Sequence, residues 1–242
     1  MPGIRRDLDM DQDAVLGHSD LPDTDRRLKI VQDPSAYLNR IAALNPENGF
    51  IFKLFDGQLA DNHEASVIAE SRGVIFLQRN LVHSYISNAI ARERKLWWGP
   101  TSTFVIEFNK SAFFSYCEST VGFFKAAADV VRIAGIPSTE CWYDEIIDPE
   151  LGFKKVHAML DTLGIGRRSP DTPDHRKDTT LFHPPQRQDY RQLASSKVTN
   201  PQDLMSALAE LGIEAADNAF YRIDFEALHE RVNGRSDATS KG

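Results

Sequence analysis

The stretch from Arg72 to Trp98, RGVIFLQRNLVHSYISNAIARERKLWW, constrains the fold more than any other part of the chain. Val74 to Leu77 is an unbroken apolar run, too short for a buried helix and the right length for a strand covered on both faces. From Leu81 onward, Leu81, Val82, Tyr85, Ile86, Ala89, Ile90 and Leu96 recur at helical spacing, and Arg92, Arg94 and Lys95 suit the negative end of a helix. A strand that runs directly into a helix is expected, with Gln78, Arg79 and Asn80 at the junction.

Ligands of open α/β sheets bind beyond the carboxyl ends of the strands, where helix N-termini present unpaired amides to anions. Arg79 falls at that place. Ser84, Ser87 and Ala91 are spaced i, i+3 and i+7 and share one helix face, to which Arg79 can fold back. A planar guanidinium with a hydroxyl eight residues later suits a clamp for one phosphate group. The same spacing also describes a surface arginine and a serine packed against the sheet.

The segment resembles the 3'-phosphate-binding element of the sulfotransferase superfamily, in which a strand ends in an arginine and a serine follows eight residues on. Arg79 and Ser87 match that spacing. The longer string VIFLQRNLVHSYISNAIARERKLWW resembles the bacterial carbohydrate sulfotransferases, of both the trehalose and the nodulation-factor type, including a tryptophan ten residues after the serine. The resemblance implies an α/β fold with a mostly parallel sheet flanked by helices, the P-loop-like sulfotransferase fold. It also implies 3'-phosphoadenylyl sulfate as co-substrate, no metal, and a carbohydrate or glycolipid acceptor.

At 242 residues the chain fits one α/β domain with a substantial core, and 41% hydrophobic with 26% charged residues is the balance of a soluble globular protein. A net charge of -7 argues against nucleic acid or anionic membranes as partners. Cys117 and Cys141 lie in expected core elements without metal-ligand spacing, so reduced core thiols are expected. No apolar run approaches the roughly 20 residues that span a bilayer, and the N-terminus has no signal-peptide core, which points to the cytoplasm. A homodimer stays open.

Along the chain, the aspartate-rich residues 1–25 read as extended, 26–232 as the sulfotransferase-like domain, and 233–242 as a disordered tail. Asp33, Pro34 and Ser35 offer a helix start, with Asn45 and Pro46 as its stop. The segment from Gly49 to Asp56 reads as a further strand of the same sheet, in which Lys53 is the anomaly: a snorkelling edge residue, or, as the resemblance implies, a cation facing the reacting sulfonyl group. Gln58 and Asp61 fall just beyond, on the expected ligand side, and His63 to Glu70 reads as a helix. Trp97 either anchors packing at a helix end or offers an aromatic face to a sugar.

Thr103 to Phe108 alternates as a short strand does, and Lys110 to Ala134 reads as a long core helix, with Phe113, Phe114, Cys117, Val121, Phe124, Ala128 and Val131 as its buried stripe and Gly135 as its stop. Thr139 to Asp144 reads as a strand, and a helix capped by Asp148 follows and ends at Gly164. The phrase WYDEIIDPELGFKKVHAMLDTLGI resembles a superfamily element whose nucleotide-contacting tyrosine falls on Trp142 or, after a one-residue gap, on Tyr143. Residues 167–192 read as a long loop. Within it Arg187 and Gln188 match a basic-glutamine pair that approaches the nucleotide in nodulation-type enzymes; a solvated loop is the alternative. Asn200 and Pro201 open a helix that Gly212 stops.

Sulfotransferases grip the 5'-phosphosulfate with a loop after the first strand. No such strand, loop and helix precedes Lys53, so the resemblance, which spans about Gly49 to Leu211 in three patches, implies an N-terminally shortened fold. An active enzyme with a shortened gene model and a non-catalytic nucleotide-binding relative both fit. No base for the acceptor hydroxyl is named, since the orientation of His83 and the placement of Asp56 and Asp61 do not follow from the sequence.

Overall fold

The computed structural model describes residues 33–44, 53–95, 103–147, 151–165 and 193–239. Among them the elements run α1 (Pro34–Leu44), α2 (Asp61–Ala69), β1 (Val74–Gln78), α3 (Leu81–Arg94), α4 (Lys110–Ala134), β2 (Ser138–Trp142), a short α5 (Tyr143–Ile146) and α6 (Leu151–Thr162). A 3-10 turn (Ala194–Lys197), α7 (Pro201–Glu210), a second 3-10 turn (Glu214–Asp217) and α8 (Phe225–Thr239) follow. β1 and β2 pair as a small parallel sheet in an otherwise helix-rich chain. The α/β class is therefore met in its coarse form.

By packing, the chain divides into two compact units. Of the described residues, the first unit takes 33–44, 53–76, 126–139 and 151–165, and the second takes 77–125, 140–147 and 193–239.

In the first unit α1 and α2 pack together, with Ser35 Oγ 3.3 Å from Ser66 Oγ. Its core joins Ile68 of α2 to Ala127 and Val131 of α4, with Leu54, Val74, Phe76, Val130 and Ile136 against them. Gly73 precedes β1 because space demands it: a Cβ there would lie 3.1 Å from Ile165 Cδ1 and 3.3 Å from Leu163 Cβ, tighter than ordinary contact. Gly135 stops α4 at φ +67°, the left-handed conformation that favours glycine after a helix.

The second unit holds the larger core. Ile86 and Ile90 of α3, Phe113 and Cys117 of α4, Leu204 and Leu208 of α7, and Leu228 of α8 are all but inaccessible. Tyr85 meets Phe108 and Phe113 edge-on at 5.8 and 5.4 Å, and its hydroxyl donates to the Asn109 carbonyl at 3.1 Å, so its one polar atom is satisfied. Burial pushes the Cys117 thiol up to about 12, the behaviour of an inert core thiol. Both cysteines are buried and unbridged, as expected.

Several expectations change. Residues 53–55 carry no strand, and Lys53 is exposed on irregular chain; residues 49–52 lie outside the described residues. Val74 to Leu77 are half-buried rather than covered on both faces, since β1 has a single partner strand among the described residues. Thr103 to Phe108 keeps the alternation, with Ile106 and Phe108 buried and Val105 and Glu107 exposed, yet among the described residues it pairs only at one isolated bridge from Ile106 to Val198. Asn200 explains why. Its side chain takes both the N–H (2.7 Å) and the C=O (3.0 Å) of Phe108, ending the ladder there. In α4, Ala127 is buried and Ala128 exposed, one position off the expected stripe. The strand over 139–144 stops at Trp142, and Tyr143 and Asp144 begin α5. α8 continues through Thr239, across residues where the composition predicts disorder. Asp148, the loop 167–192 and residues 1–25 lie outside the described residues.

Candidate functional site

Everything at the junction follows from how α3 begins. The side chain of Asn80, at the N-cap, accepts from the backbone N–H of Val82 (3.0 Å) and His83 (3.3 Å), which satisfies two of the otherwise orphaned donors of the first turn. Those amides are therefore occupied from within. This departs from the expectation of open amides at this end of α3.

Arg79 lies between the last residue of β1 and this cap, and its side chain is exposed. It folds back along α3 as the spacing predicts, and Nη2 comes to 3.4 Å from Ser87 Oγ, two turns on. That is at the long end of the N–H···O range, so the two groups converge in a weak hydrogen bond. Ser84 turns elsewhere. Its Oγ accepts from the Tyr116 hydroxyl of α4 at 2.9 Å, which holds this face of α3 against its neighbour.

Tyr143 completes the cluster. It is the first residue after β2, as Arg79 is the first after β1, and parallel pairing of the two strands brings their carboxyl ends together. The Arg79 guanidinium carbon lies 5.0 Å from the centroid of the Tyr143 ring, within cation–π range. Of Trp142 and Tyr143, it is Tyr143 that meets Arg79. Trp142 is instead covered by Arg222, whose guanidinium carbon is 5.5 Å from its ring.

Arg222 is the residue that sequence reasoning missed. It also pairs with Asp144 Oδ2 at 3.4 Å and Glu145 Oε1 at 3.2 Å. A lone arginine nearly eighty positions from its partners leaves no local signal. The buried polar groups beside the cap were also unforeseen. Asn80 Nδ2 donates to the carbonyls of Ala216 (3.0 Å), Asn218 (3.0 Å) and Tyr221 (3.3 Å). His83 Nε2 is 2.9 Å from the Asp217 carbonyl, an acceptor, so Nε2 carries the proton and Nδ1 accepts from the buried Lys197 Nζ at 3.2 Å. His83 is thus a buried structural residue, which resolves its orientation.

Lys53 Nζ lies over the ring of Phe55 at 5.3 Å, and Gln58 Oε1 accepts from the Phe55 N–H at 3.1 Å, closing a turn; both belong to the first unit. Asp61 opens α2. Trp97, Arg187 and Gln188 lie outside the described residues. Among the described residues no group of three or more His, Cys, Asp or Glu is arranged to hold a metal ion, and no helix is long and apolar enough to cross a membrane.

Compared with known proteins, the chain matches no family model, no curated protein and no solved structure. The chemical reading therefore rests on the cluster itself: one guanidinium, one hydroxyl and one phenol ring at the carboxyl edge of a parallel strand pair. Such a set can grip a single tetrahedral anion through the first two groups, with the ring holding the guanidinium in place.

Proposed function

We propose that the chain is a sulfotransferase that holds the 3'-phosphate of 3'-phosphoadenylyl sulfate with Arg79 and Ser87 and passes the sulfonyl group to a hydroxyl of a carbohydrate or glycolipid. The observation that carries this reading is the convergence of Arg79 and Ser87, 3.4 Å apart, from positions eight residues distant on the strand-to-helix junction. The acceptor class and the co-substrate come from the resemblance of this segment to bacterial carbohydrate sulfotransferases. Arg187 and Gln188 are assigned to the nucleotide on the same ground.

In the proposed reaction the bond from sulfur to the phosphate oxygen breaks as a bond from sulfur to the acceptor oxygen forms. The acceptor proton passes to a base, and adenosine 3',5'-bisphosphate departs. Placement of the donor and stabilisation of the charge on the leaving phosphate supply most of the rate in such a transfer. Lys53, which the resemblance sets toward the reacting sulfonyl group, lies on irregular chain over residues 53–55.

A second reading, a nucleotide-binding protein without turnover, is favoured by one observation. Asp144 and Glu145, the carboxylates next in sequence to Tyr143, are both paired with Arg222 rather than held toward an acceptor hydroxyl. Calorimetric titration with adenosine 3',5'-bisphosphate tests the shared part: equal affinity of the wild type and Arg79→Ala overturns both readings. Sulfonyl transfer from 3'-phosphoadenylyl sulfate to a panel of sugars then separates them.

A further inference from the structure

We propose that Arg222 is a positioning residue of the Arg79 site: by gripping the residues on either side of Tyr143 it fixes the phenol ring against the Arg79 guanidinium. Its consequence for ligand binding rests on the phosphate-binding reading above; its structural content does not.

One guanidinium contacts three of the four residues from Trp142 to Glu145. Arg222 lies over the Trp142 ring at 5.5 Å, and Nη2 reaches Asp144 Oδ2 at 3.4 Å and Glu145 Oε1 at 3.2 Å. Glu145 closes the turn from the other side, since its Oε2 accepts from the Trp142 N–H at 3.2 Å. Tyr143 is the residue left over, and it points to Arg79 instead. A side chain whose two chain neighbours are both held has little freedom in its backbone, so its ring is delivered to one place.

Arg222 is itself placed by the first turn of α3. Asn80 and His83 between them bind the carbonyls of Ala216, Asp217, Asn218 and Tyr221, and Arg222 is the next residue. Asn80 also directly follows Arg79. Both partners of the cation–π pair are therefore referred to a single buried anchor: Arg79 through one peptide bond, and Tyr143 through Arg222 and the turn it grips. The carboxylates give the arrangement a second effect, because without Arg222 two negative groups next to Tyr143 would lose their counter-charge.

The positioning role and the charge effect are separated by a double-mutant cycle on the affinity for adenosine 3',5'-bisphosphate. Arg222→Ala is expected to weaken binding about three- to tenfold, the scale of one cation–π contact. In a Tyr143→Ala background the same change is expected to weaken it less than twofold. An equal factor in both backgrounds means that Arg222 acts by charge alone, and overturns the proposal. So does an unchanged affinity in Arg222→Ala when Arg79→Ala binds poorly.

A readout without ligand keeps the two proposals distinct. Proton NMR contacts between the Tyr143 ring and the Arg79 side chain are expected in the wild type and lost in Arg222→Ala, with α3 and α4 still folded by circular dichroism. Persistence of those contacts overturns the proposal whatever the ligand does. Arg222→Lys, which keeps the charge but not the flat fork, serves if Arg222→Ala does not fold, and is expected to lose them as well.

Discussion

Arg79 and Tyr143 occupy equivalent places, each the first residue beyond one of two paired parallel strands, and the guanidinium of one lies 5.0 Å from the ring of the other. Strand pairing brings the two backbones side by side. The ring lies against the cation while Nη2 reaches Ser87, so the guanidinium is held on two sides before any anion arrives.

The contributions to anion binding are therefore expected to be graded. Arg79→Ala loses a charge-assisted contact of about 1.5–3 kcal/mol, which is roughly 10- to 150-fold in affinity for adenosine 3',5'-bisphosphate. Ser87→Ala loses a hydrogen bond from a neutral donor to the anion, expected at the low end of that range, about 1.5 kcal/mol. Tyr143→Phe, which keeps the ring, is expected to match the wild type. Titration calorimetry at two salt concentrations checks the series, and Arg79→Ala should also flatten the salt dependence.

Asn80 unites a helix cap with three carbonyl contacts, and a single substitution separates the two roles. Asp is as good an N-cap as Asn, so Asn80→Asp would be nearly neutral if capping were all that mattered. The carboxylate cannot donate to the carbonyls of Ala216, Asn218 and Tyr221 and would face them in a buried site, so a loss above about 2 kcal/mol is expected. Urea unfolding measures it. A loss within 0.5 kcal/mol, the usual spread for neutral substitutions, would show those contacts to be idle.

For His83 the geometry dictates the tautomer. Because Nε2 faces a carbonyl and Nδ1 faces an amine, ring nitrogen shifts in labelled protein are expected to show Nε2 protonated and Nδ1 accepting. Lys197→Met, which removes the donor to Nδ1, is expected to destabilise the fold by about 1–3 kcal/mol by leaving a buried acceptor unsatisfied. A spectrum with the proton on Nδ1 alone would contradict this network.

Cys117 predicts a pH dependence. Burial raises its folded pKa from 9.0 to about 12. In the unfolded chain the thiol ionises first, so the unfolded state binds fewer protons and stability falls as pH rises between those values. The slope is about 1.4 kcal/mol per pH unit for one group. The stabilisation is fully present below pH 9.0 and gone above about 12. Tyr85, also raised by burial, acts in the same direction above 10.0. Cys117→Val is expected to flatten the alkaline limb of the stability curve, measured by urea midpoints. The native thiol should resist alkylation until the protein unfolds.

What was legible in the residues is what depends on near neighbours. The turn from β1 into α3 and the limits of α4 follow from hydrophobic periodicity and from stop signals such as Gly135, because a helix or a short strand is decided within a few residues. The approach of Arg79 to Ser87 belongs here too, since eight residues across a helix start is a local distance. Where a segment needed a distant partner, pattern misled: the apolar chain around Lys53 carries no strand over residues 53–55, and Thr103 to Phe108 is held at Phe108 by Asn200 instead of by a ladder. Tertiary structure alone decided that Tyr143 meets Arg79, that Arg222 grips the turn beside it, and that Asn80 and His83 bind carbonyls of residues 216–221. Those contacts join positions tens of residues apart through single side chains, and a one-dimensional pattern records spacing but not which strand ends and loops the packed core brings together.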